Sequence, residues 1–357
     1  MGFLKVNGTI DLSQFWPTKE SDGDTVKVVI VGAFLFQPYP NQLFQATSAF
    51  DNAQVGSKAV LHMDPHSGAK SITVRSQGID APELHYQPQA PADLKQEVVA
   101  HHDAFHRYAK DYRQPYGEGA TVNLATWLKQ TYSKQILPCI VVTQVDTPND
   151  VFDVYGSFIG TILILDPNGN EEVQTDDGQG TMKATDVNLH CVQQGWAFPT
   201  FYSSMTAEEI TPLLQATRDA QQQNSGLWSL YQSNVGVLDT SIVYDRPTKN
   251  HQPIDDAAQD TGDVIFPKLF RRLCIYTALS KAGIIDMTFK QYLQREREYF
   301  FFLNEFLEQG PTASTPFAVD DFINDNGDVI RQTYEFVFQE KASSLRDKNS
   351  GQKIQNW

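Results

Sequence analysis

Two short segments rich in acidic and turn-forming residues constrain the fold more than any other part of the sequence. The first is Asp22-Gly23-Asp24-Thr25, which comes directly before a run of Val, Lys and Ile. The second is Arg75-Ser76-Gln77-Gly78-Ile79-Asp80-Ala81-Pro82-Glu83, which follows a β-branched run that begins at Ser71. If both runs are strands, the sheet can bring carboxylates and a guanidinium group together at one end. Such a set suits a divalent metal ion beside a phosphate.

These two segments, in this order, resemble the signature of the staphylococcal nuclease (thermonuclease) family. The resemblance covers roughly residues 20 to 230 and implies an α+β fold, a five-stranded β-barrel of the OB type with packed helices. Five further segments support it: Tyr116-Gly117-Glu118-Gly119-Ala120, Asp153-Val154-Tyr155-Gly156, Val187-Asn188-Leu189, Gln194-Gly195-Trp196-Ala197 and Asn224-Ser225-Gly226-Leu227-Trp228-Ser229.

The resemblance implies a role for five positions of the site. Asp24, Asp80 and Glu83 match calcium ligands, and the backbone carbonyl of Ala81 matches a further oxygen ligand. Glu83 also matches the residue that activates or positions the attacking water, and Arg75 matches an arginine that contacts the scissile phosphate. Calcium accepts an irregular shell of carboxylates, a carbonyl and waters, so Ca²⁺ is the expected cofactor. Taken singly, each residue also suits a turn cap or a solvated surface position, but their combination favours the metal site.

One position departs from the family pattern. In active relatives a second arginine follows the Tyr-Gly pair of the central strand and stabilises the transition state, whereas here Ser157 follows that pair. A serine hydroxyl cannot replace a cationic, bidentate donor. Arg107 and Arg113 lie in the segment after the second motif, and we consider them as compensating arginines.

Two functions remain open from the sequence. The first is a calcium-dependent phosphodiesterase, a nuclease that acts on DNA or RNA by metal-assisted attack of water. The alternative is a catalytically inactive nuclease-like module that binds nucleic acid or protein. The complete carboxylate set favours the enzyme. Ser157 and the net charge of -15 favour the alternative, because nucleic-acid binding normally needs a basic patch. On balance we favour the nuclease.

The length of 357 residues predicts two regions, since it exceeds one average domain. The polar stretch from Asp239 to Asp263 is typical of a linker or irregular arm. The predicted regions are 1–235, a nuclease-like OB-barrel domain with insertions at about 37–70, 84–115 and 167–184, and 236–357, a mainly helical C-terminal region.

Two helices are predicted in the C-terminal region, Pro267 to Ala282 and Thr288 to Gln309. Their apolar stripes favour docking on the barrel or on a second subunit, so these helices are candidates for self-association, and the oligomeric state stays open. The tail from Lys341 to Trp357 is predicted to be a mobile terminus.

Membrane and export signals are not evident in the sequence. No run approaches the eighteen or so apolar residues of a membrane span, and the N-terminus lacks the pattern of a signal peptide. The three cysteines are widely spaced and form no C-x-x-C pair, so neither a disulfide framework nor a zinc site is indicated. We therefore expect a cytoplasmic protein without a membrane partner.

Overall fold

The computed structural model describes residues 2–19, 21–39, 42–64, 68–174, 180–231, 244–245, 264–296, 298–310, 316–324, 328–340 and 343–357. The strands are β1 Gly2–Asp11, β2 Thr25–Tyr39, β3 Gln42–Gln45, β4 Ala53–Val55, β5 Lys58–Ala59, β6 His62–Met63, β7 Lys70–Ser76, β8 Ile79–Asp80, β9 Tyr112–Arg113, β10 Ile136–Val145, β11 Phe158–Leu165, β12 Glu171–Gln174, β13 Thr181–Asp186, β14 Phe198–Pro199, β15 Phe201–Tyr202, β16 Tyr244–Asp245, β17 Tyr299–Phe302, β18 Phe317–Ala318, β19 Phe336–Phe338 and β20 Leu345–Asp347. The helices are α1 Lys95–Ala100, α2 His102–Tyr108, α3 Gly117–Tyr132, α4 Val187–Gln193, α5 Ala207–Gln222, α6 Pro267–Lys281, α7 Phe289–Glu296 and α8 Leu303–Gln309.

Five strands of the largest sheet pair in a circuit. β1 pairs antiparallel with β2 and β10, β2 pairs with β7, and β10 pairs with β11. A parallel pairing of β7 with β11 joins the two ends. Alternate residues of these strands are fully buried, among them Val6, Val28, Val74, Val141 and Ile162. The molecule mixes α and β structure, and the circuit fits the OB-like fold that the resemblance implies.

Sequence reasoning did not predict β1, although β1 is central to the circuit. This strand pairs with β10 along its whole length, from Gly2 opposite Val145 to Asp11 opposite Ile136. Gly8 allows a close approach to β2, since a Cβ there would lie 2.3 Å from the Cγ1 of Val28. Two glycines and an asparagine lower the β propensity of this segment, which explains why its pattern gave no signal.

The helices α3 and α5 pack on the strands of the circuit. Leu124 and Leu128 of α3 are buried in the core of the circuit. A capping box opens α5: the Thr206 backbone N donates to Glu209 Oε2 at 2.8 Å, and the Glu209 N donates to Thr206 Oγ1 at 3.4 Å. These contacts satisfy two backbone donors that the helix leaves unpaired.

The C-terminal region contains strands as well as helices. Helix α6 is confirmed, but the second predicted helix, Thr288 to Gln309, is wrong, because β17 interrupts it between α7 and α8. The aromatic run Tyr299-Phe300-Phe301-Phe302 has a high β propensity, and it pairs with β18 and β19. The predicted linker, Asp239 to Asp263, lies outside the described residues except for 244–245. The boundary near residue 235 also lies outside them and stays a prediction.

The two regions share their cores. Phe301 and Phe306 belong to the apolar cluster that fills the circuit, while Phe198 and Trp228 belong to the aromatic cluster around α6. Strand β15 pairs with β19, which also joins the two regions. The C-terminal region therefore packs on the five-stranded circuit and its helices within one chain.

The end of the chain also packs on the domain. β20 pairs with β4, and the ring of Trp357 stacks on Phe36 with centroids 4.1 Å apart. The prediction of a mobile terminus is therefore wrong for residues 343–357, because an aromatic side chain and a strand anchor it. Within the described part of the chain, no helix has the length and apolar character that crossing a membrane requires.

Candidate active site

The first motif forms a tight turn that places Asp24 at the start of β2. The backbone N of Asp22 donates to the Thr25 carbonyl, and the Thr25 N donates to Asp22 Oδ1, both at 2.8 Å. The Ala81 N donates to Asp24 Oδ2 at 2.9 Å, and the Ser76 N donates to the Asp24 carbonyl at 2.8 Å. The two motifs are thus joined directly, and Asp22 closes the turn.

The second motif runs from β7 through a turn into β8. Arg75 lies opposite Thr25 in the β2–β7 pairing, and Asp80 lies opposite Phe198 in the β8–β14 pairing. Gly78 makes the turn between them with a φ of 78°, a conformation that favours glycine. The turn brings Arg75 Nη2 to 3.1 Å from Asp80 Oδ1. The predicted meeting of the carboxylates and the guanidinium therefore occurs in the structure.

Backbone contacts fix the position of Glu83. Its N donates to Gln114 Oε1 at 3.2 Å, and its carbonyl accepts from the Gln114 N at 2.7 Å. Helix α3 begins beside it, and a Cβ on Gly117 would lie only 2.7 Å from the Glu83 carbonyl oxygen. Only glycine fits there, so the family-like start of α3 also positions the acidic residue.

A second guanidinium group enters the site from α6. Arg271 Nη2 lies 2.7 Å from Asp80 Oδ2, and its Nη1 lies 3.0 Å from Asp80 Oδ1. The same Nη1 also donates to Glu83 Oε1. Arg271 therefore holds Asp80 with a bidentate fork and bridges it to Glu83.

Sequence reasoning missed Arg271. Its partners in the site lie 188 and 191 residues earlier in the chain, so no local spacing connects them. One signal was present: Lys268, Arg271 and Arg272 form a basic face at helical spacing in a chain with a net charge of -15. Such a face in an acidic protein indicates acidic partners elsewhere in the fold.

Ion pairs and a side-chain amide hold α6 in place. Lys268 Nζ lies 2.8 Å from Glu298 Oε1, and Arg272 Nη2 lies 2.7 Å from Glu298 Oε2. The Gln114 amide donates through Nε2 to the carbonyl of Ile265, at 2.5 Å, just before the helix begins. Gln114 therefore connects the backbone of Glu83 to the start of α6.

The carboxylates of the site are buried close together, and this shapes their pKa values. Burial raises the pKa of Glu83 to about 7; Asp80 and Asp24 add to the rise, and Arg271 opposes it. Burial also raises the pKa of Asp24, aided by Asp80 and opposed by Arg75. Burial opposes ionisation of Asp80 too, but Arg271 and Arg75 hold its pKa below the usual value. The site carries more acidic charge than its two arginines balance.

The donor set suits a hard cation, although its geometry is not that of an assembled metal site. Within the ranges that the structure describes, no three acidic, His or Cys side chains are arranged to hold a metal ion. Asp24, Asp80 and Glu83 are nevertheless oxygen donors of the kind that calcium binds, and burial together with the neighbouring carboxylates raises the pKa of Asp24 and Glu83. An added cation would relieve this repulsion. The predicted calcium site, including the Ala81 carbonyl, stays a proposal.

The two compensating arginines predicted from the sequence have other surroundings in the structure. Arg113 is buried, forms an ion pair with Glu118, and lies 5.5 Å from the ring centroid of Trp16. Its direction is set by a partner on α3. Arg107 is exposed on α2. The backbone N of Ser157 donates to Asp153 Oδ1 at 2.9 Å, in the turn before β11.

The comparisons with known proteins agree with this geometry. The family model described as staphylococcal nuclease homologue matches residues 73–230. No curated protein is similar enough to the chain to count as a match. The matched segment includes Arg75, Asp80 and Glu83, whereas Asp24 precedes it and Arg271 follows it. Residues 73–230 are therefore similar to the staphylococcal nuclease homologue family, which is consistent with a nuclease-like domain.

Proposed function

We propose that this protein is a calcium-dependent phosphodiesterase that hydrolyses DNA or RNA. The convergence of Asp24, Asp80 and Glu83 with Arg75 carries the proposal, because two separate motifs contribute these residues to one place. The family of residues 73–230 supports it. We also infer that the circuit of five strands is a barrel of the OB type, a fold that often binds oligonucleotides.

Each residue of the site has a role in the proposed hydrolysis. Arg75 donates to a non-bridging oxygen of the scissile phosphate, and its planar fork fixes the orientation of that group. Glu83 accepts a proton from the attacking water. The bond from the water oxygen to phosphorus forms as the bond to the leaving oxygen breaks, and the leaving oxygen takes a proton from solvent.

Asp24, Asp80 and Glu83, with the Ala81 carbonyl, are the proposed ligands of calcium. When bound, calcium supplies positive charge that polarises the phosphate. This charge is important in a chain of net charge -15, because nucleic acid would otherwise meet a negative surface. We therefore expect the protein to bind its substrate much more tightly with calcium than without it.

A second function is favoured by one observation, the fork of Arg271 on Asp80 and Glu83. A protein cation that neutralises these two carboxylates can take the place of a metal ion. In that case the protein is a nuclease-like module that binds nucleic acid or another protein and does not cleave. The absence of an arginine at position 157 fits this function as well.

A cleavage assay separates the two functions. Labelled single-stranded DNA and RNA are incubated with the full chain, once with calcium and once with chelator. The nuclease predicts cleavage with calcium alone, and it predicts loss of cleavage in the double variant Asp24→Ala, Asp80→Ala. Asp64→Asn is the matched control, because Asp64 is a buried carboxylate paired with Lys27 at 2.8 Å. An inert wild-type protein that still retains either labelled strand would favour the binding module.

A further inference from the structure

We infer that Arg271 is the second phosphate-contacting arginine of this site, and that the C-terminal region thereby completes the active site. The inference rests on the proposed nuclease function. It assigns a catalytic contact to a residue outside the matched segment 73–230, on a helix that sequence reasoning did not connect with the site.

The geometry places two guanidinium groups at one oxygen atom. Asp80 Oδ1 accepts from Arg75 Nη2 at 3.1 Å and from Arg271 Nη1 at 3.0 Å. Donors that reach the same oxygen can also bind neighbouring oxygens of one phosphate, because a guanidinium fork matches phosphate geometry. The side chain of Arg271 remains 18% exposed and that of Arg75 29%, so a substrate can approach both from solvent.

The acidic surroundings also favour a second cation at this place. Arg75 and Arg271 both bind Asp80, and Arg271 binds Glu83 as well. Two guanidinium groups beside these carboxylates reduce the repulsion that a phosphodiester would meet.

Different residues of α6 anchor the helix and contact the site. Lys268 and Arg272 both bind Glu298, and these pairs hold the helix. Arg271 lies on the same helix but directs its fork to Asp80 and Glu83. The helix is thus anchored without Arg271. The guanidinium group of Arg271 can therefore bind a phosphate of the substrate without loosening the helix.

Arg271 can supply the second guanidinium group that is missing at Ser157. A second arginine in phosphoryl transfer stabilises the charge that develops on the equatorial oxygens. Ser157 lies in the turn before β11, and its backbone N is bonded to Asp153. Arg271 contacts Asp80 and Glu83 from α6, so it can supply this charge from a different element.

The test compares two adjacent arginines of α6 in the full chain. Arg271→Gln, Arg271→Lys and the control Arg272→Gln are assayed for kcat and KM on labelled single-stranded DNA with calcium. Thermal midpoints are measured for all variants. Binding of the same oligonucleotide is measured with calcium at several salt concentrations, with initial readings taken before appreciable cleavage.

A catalytic contact predicts that Arg271→Gln lowers kcat by about 10³-fold or more. Arg271→Lys keeps the charge but loses the fork, so its kcat falls between those of Arg271→Gln and wild type. The salt dependence of binding should fall by about one unit of slope in Arg271→Gln, as expected for a lost phosphate contact. Arg272→Gln should lower the thermal midpoint yet keep kcat within about tenfold of wild type.

Two results would overturn the inference, and they have different meanings. If wild type cleaves and Arg271→Gln matches Arg272→Gln in kcat and in salt slope, Arg271 is only an anchor and the nuclease function stands. If wild type is inert with calcium on DNA and RNA, the proposed function fails, and the inference fails with it.

Discussion

Two buried charge clusters lie side by side in this molecule, and their charges are balanced differently. In the site, burial and neighbouring carboxylates raise the pKa values of Asp24 and Glu83. In the cluster around Glu298, burial opposes ionisation, but Lys268 and Arg272 hold the pKa of Glu298 far below its usual value. The first cluster has excess acid, whereas the second is fully paired.

Because the two clusters are balanced differently, one helix can anchor a region and also contribute to a site. Paired buried charges are costly to disrupt and give a helix a fixed position. Unbalanced buried carboxylates are typical of a place that binds a cation or performs chemistry. Helix α6 belongs to both clusters, since Lys268 and Arg272 contact Glu298 while Arg271 contacts Asp80.

We expect the greatest loss of activity from a change in the acid-rich cluster, which is the site formed by Asp24, Asp80 and Glu83. Glu83→Gln removes the proposed acceptor of the proton of water, so kcat should fall by about 10² to 10⁴. The measurement is the rate of cleavage at saturating substrate and calcium. Glu118→Gln is the control, because Glu118 is a buried partner of Arg113 outside the site. Equal loss in both variants would mean that the assay reports stability and would remove Glu83 from the chemistry.

The next effect concerns the paired cluster. Glu298→Gln leaves Lys268 and Arg272 without their buried partner, so the free energy of unfolding should drop by roughly 3 to 5 kcal/mol. Urea titration measures it. The control is Asp93→Asn, which breaks an exposed pair with Arg295 and should change stability by less than about 1 kcal/mol. A similar loss in both variants would contradict the assignment of Glu298 as an anchor.

The same cluster predicts a dependence of stability on pH. The pKa of Glu298 is depressed in the folded state, so its contribution is present above the unfolded pKa near 4.5. It should be lost as the pH falls from that value towards the depressed pKa. Stability curves of wild type and Glu298→Gln should therefore converge in acid. Parallel curves down to the acid transition would show that Lys268 and Arg272 do not hold the carboxylate.

Calcium should raise the thermal stability of the protein by binding at the acid-rich cluster and not at the paired cluster. A ligand that binds only the folded state adds about 2.7 kcal/mol at a hundred times its Kd. The thermal midpoint of wild type should rise with calcium, and the double variant Asp24→Ala, Asp80→Ala should not respond. The response of Glu298→Gln should remain, since that residue lies in the paired cluster. A full response in the double variant would place the calcium site elsewhere.

The smallest effect is expected at position 157. If Arg271 already supplies the second guanidinium, Ser157→Arg should change the wild-type kcat by less than about tenfold. In the Arg271→Gln background the same change should raise kcat, because it returns a cation to the position that the family uses. A large gain in wild type would instead indicate that Arg271 does not supply that charge.

Local patterns predicted which acidic residues the fold brings together. The two motifs contain Asp24, Arg75, Asp80 and Glu83, and the strands beside them, β2 and β7, are rich in β-branched residues. Their meeting follows from the pairing of β2 with β7, which links Thr25 to Arg75. Sequence reasoning therefore identified the residues whose spacing is set by one turn or one strand.

The rest depends on contacts between distant segments. Arg271 reaches Asp80 across 191 residues, and no periodicity connects the two. Strand β1 was missed because two glycines and an asparagine weaken its β pattern, and β17 was missed because its aromatic residues also fit a helical stripe. Propensity is a weak guide where tertiary contacts decide. Arg113 was a reasonable candidate by proximity, yet in the structure its ion-pair partner is Glu118.

The most direct test is a crystal structure of the full chain with calcium and a single-stranded dinucleotide that carries a terminal phosphate, a product of the proposed reaction. We expect Arg75 and Arg271 both to donate to oxygens of that phosphate, with calcium held by Asp24, Asp80 and Glu83. A phosphate bound by Arg75 alone, with Arg271 still on Asp80 and Glu83 and no calcium beside them, would contradict this expectation.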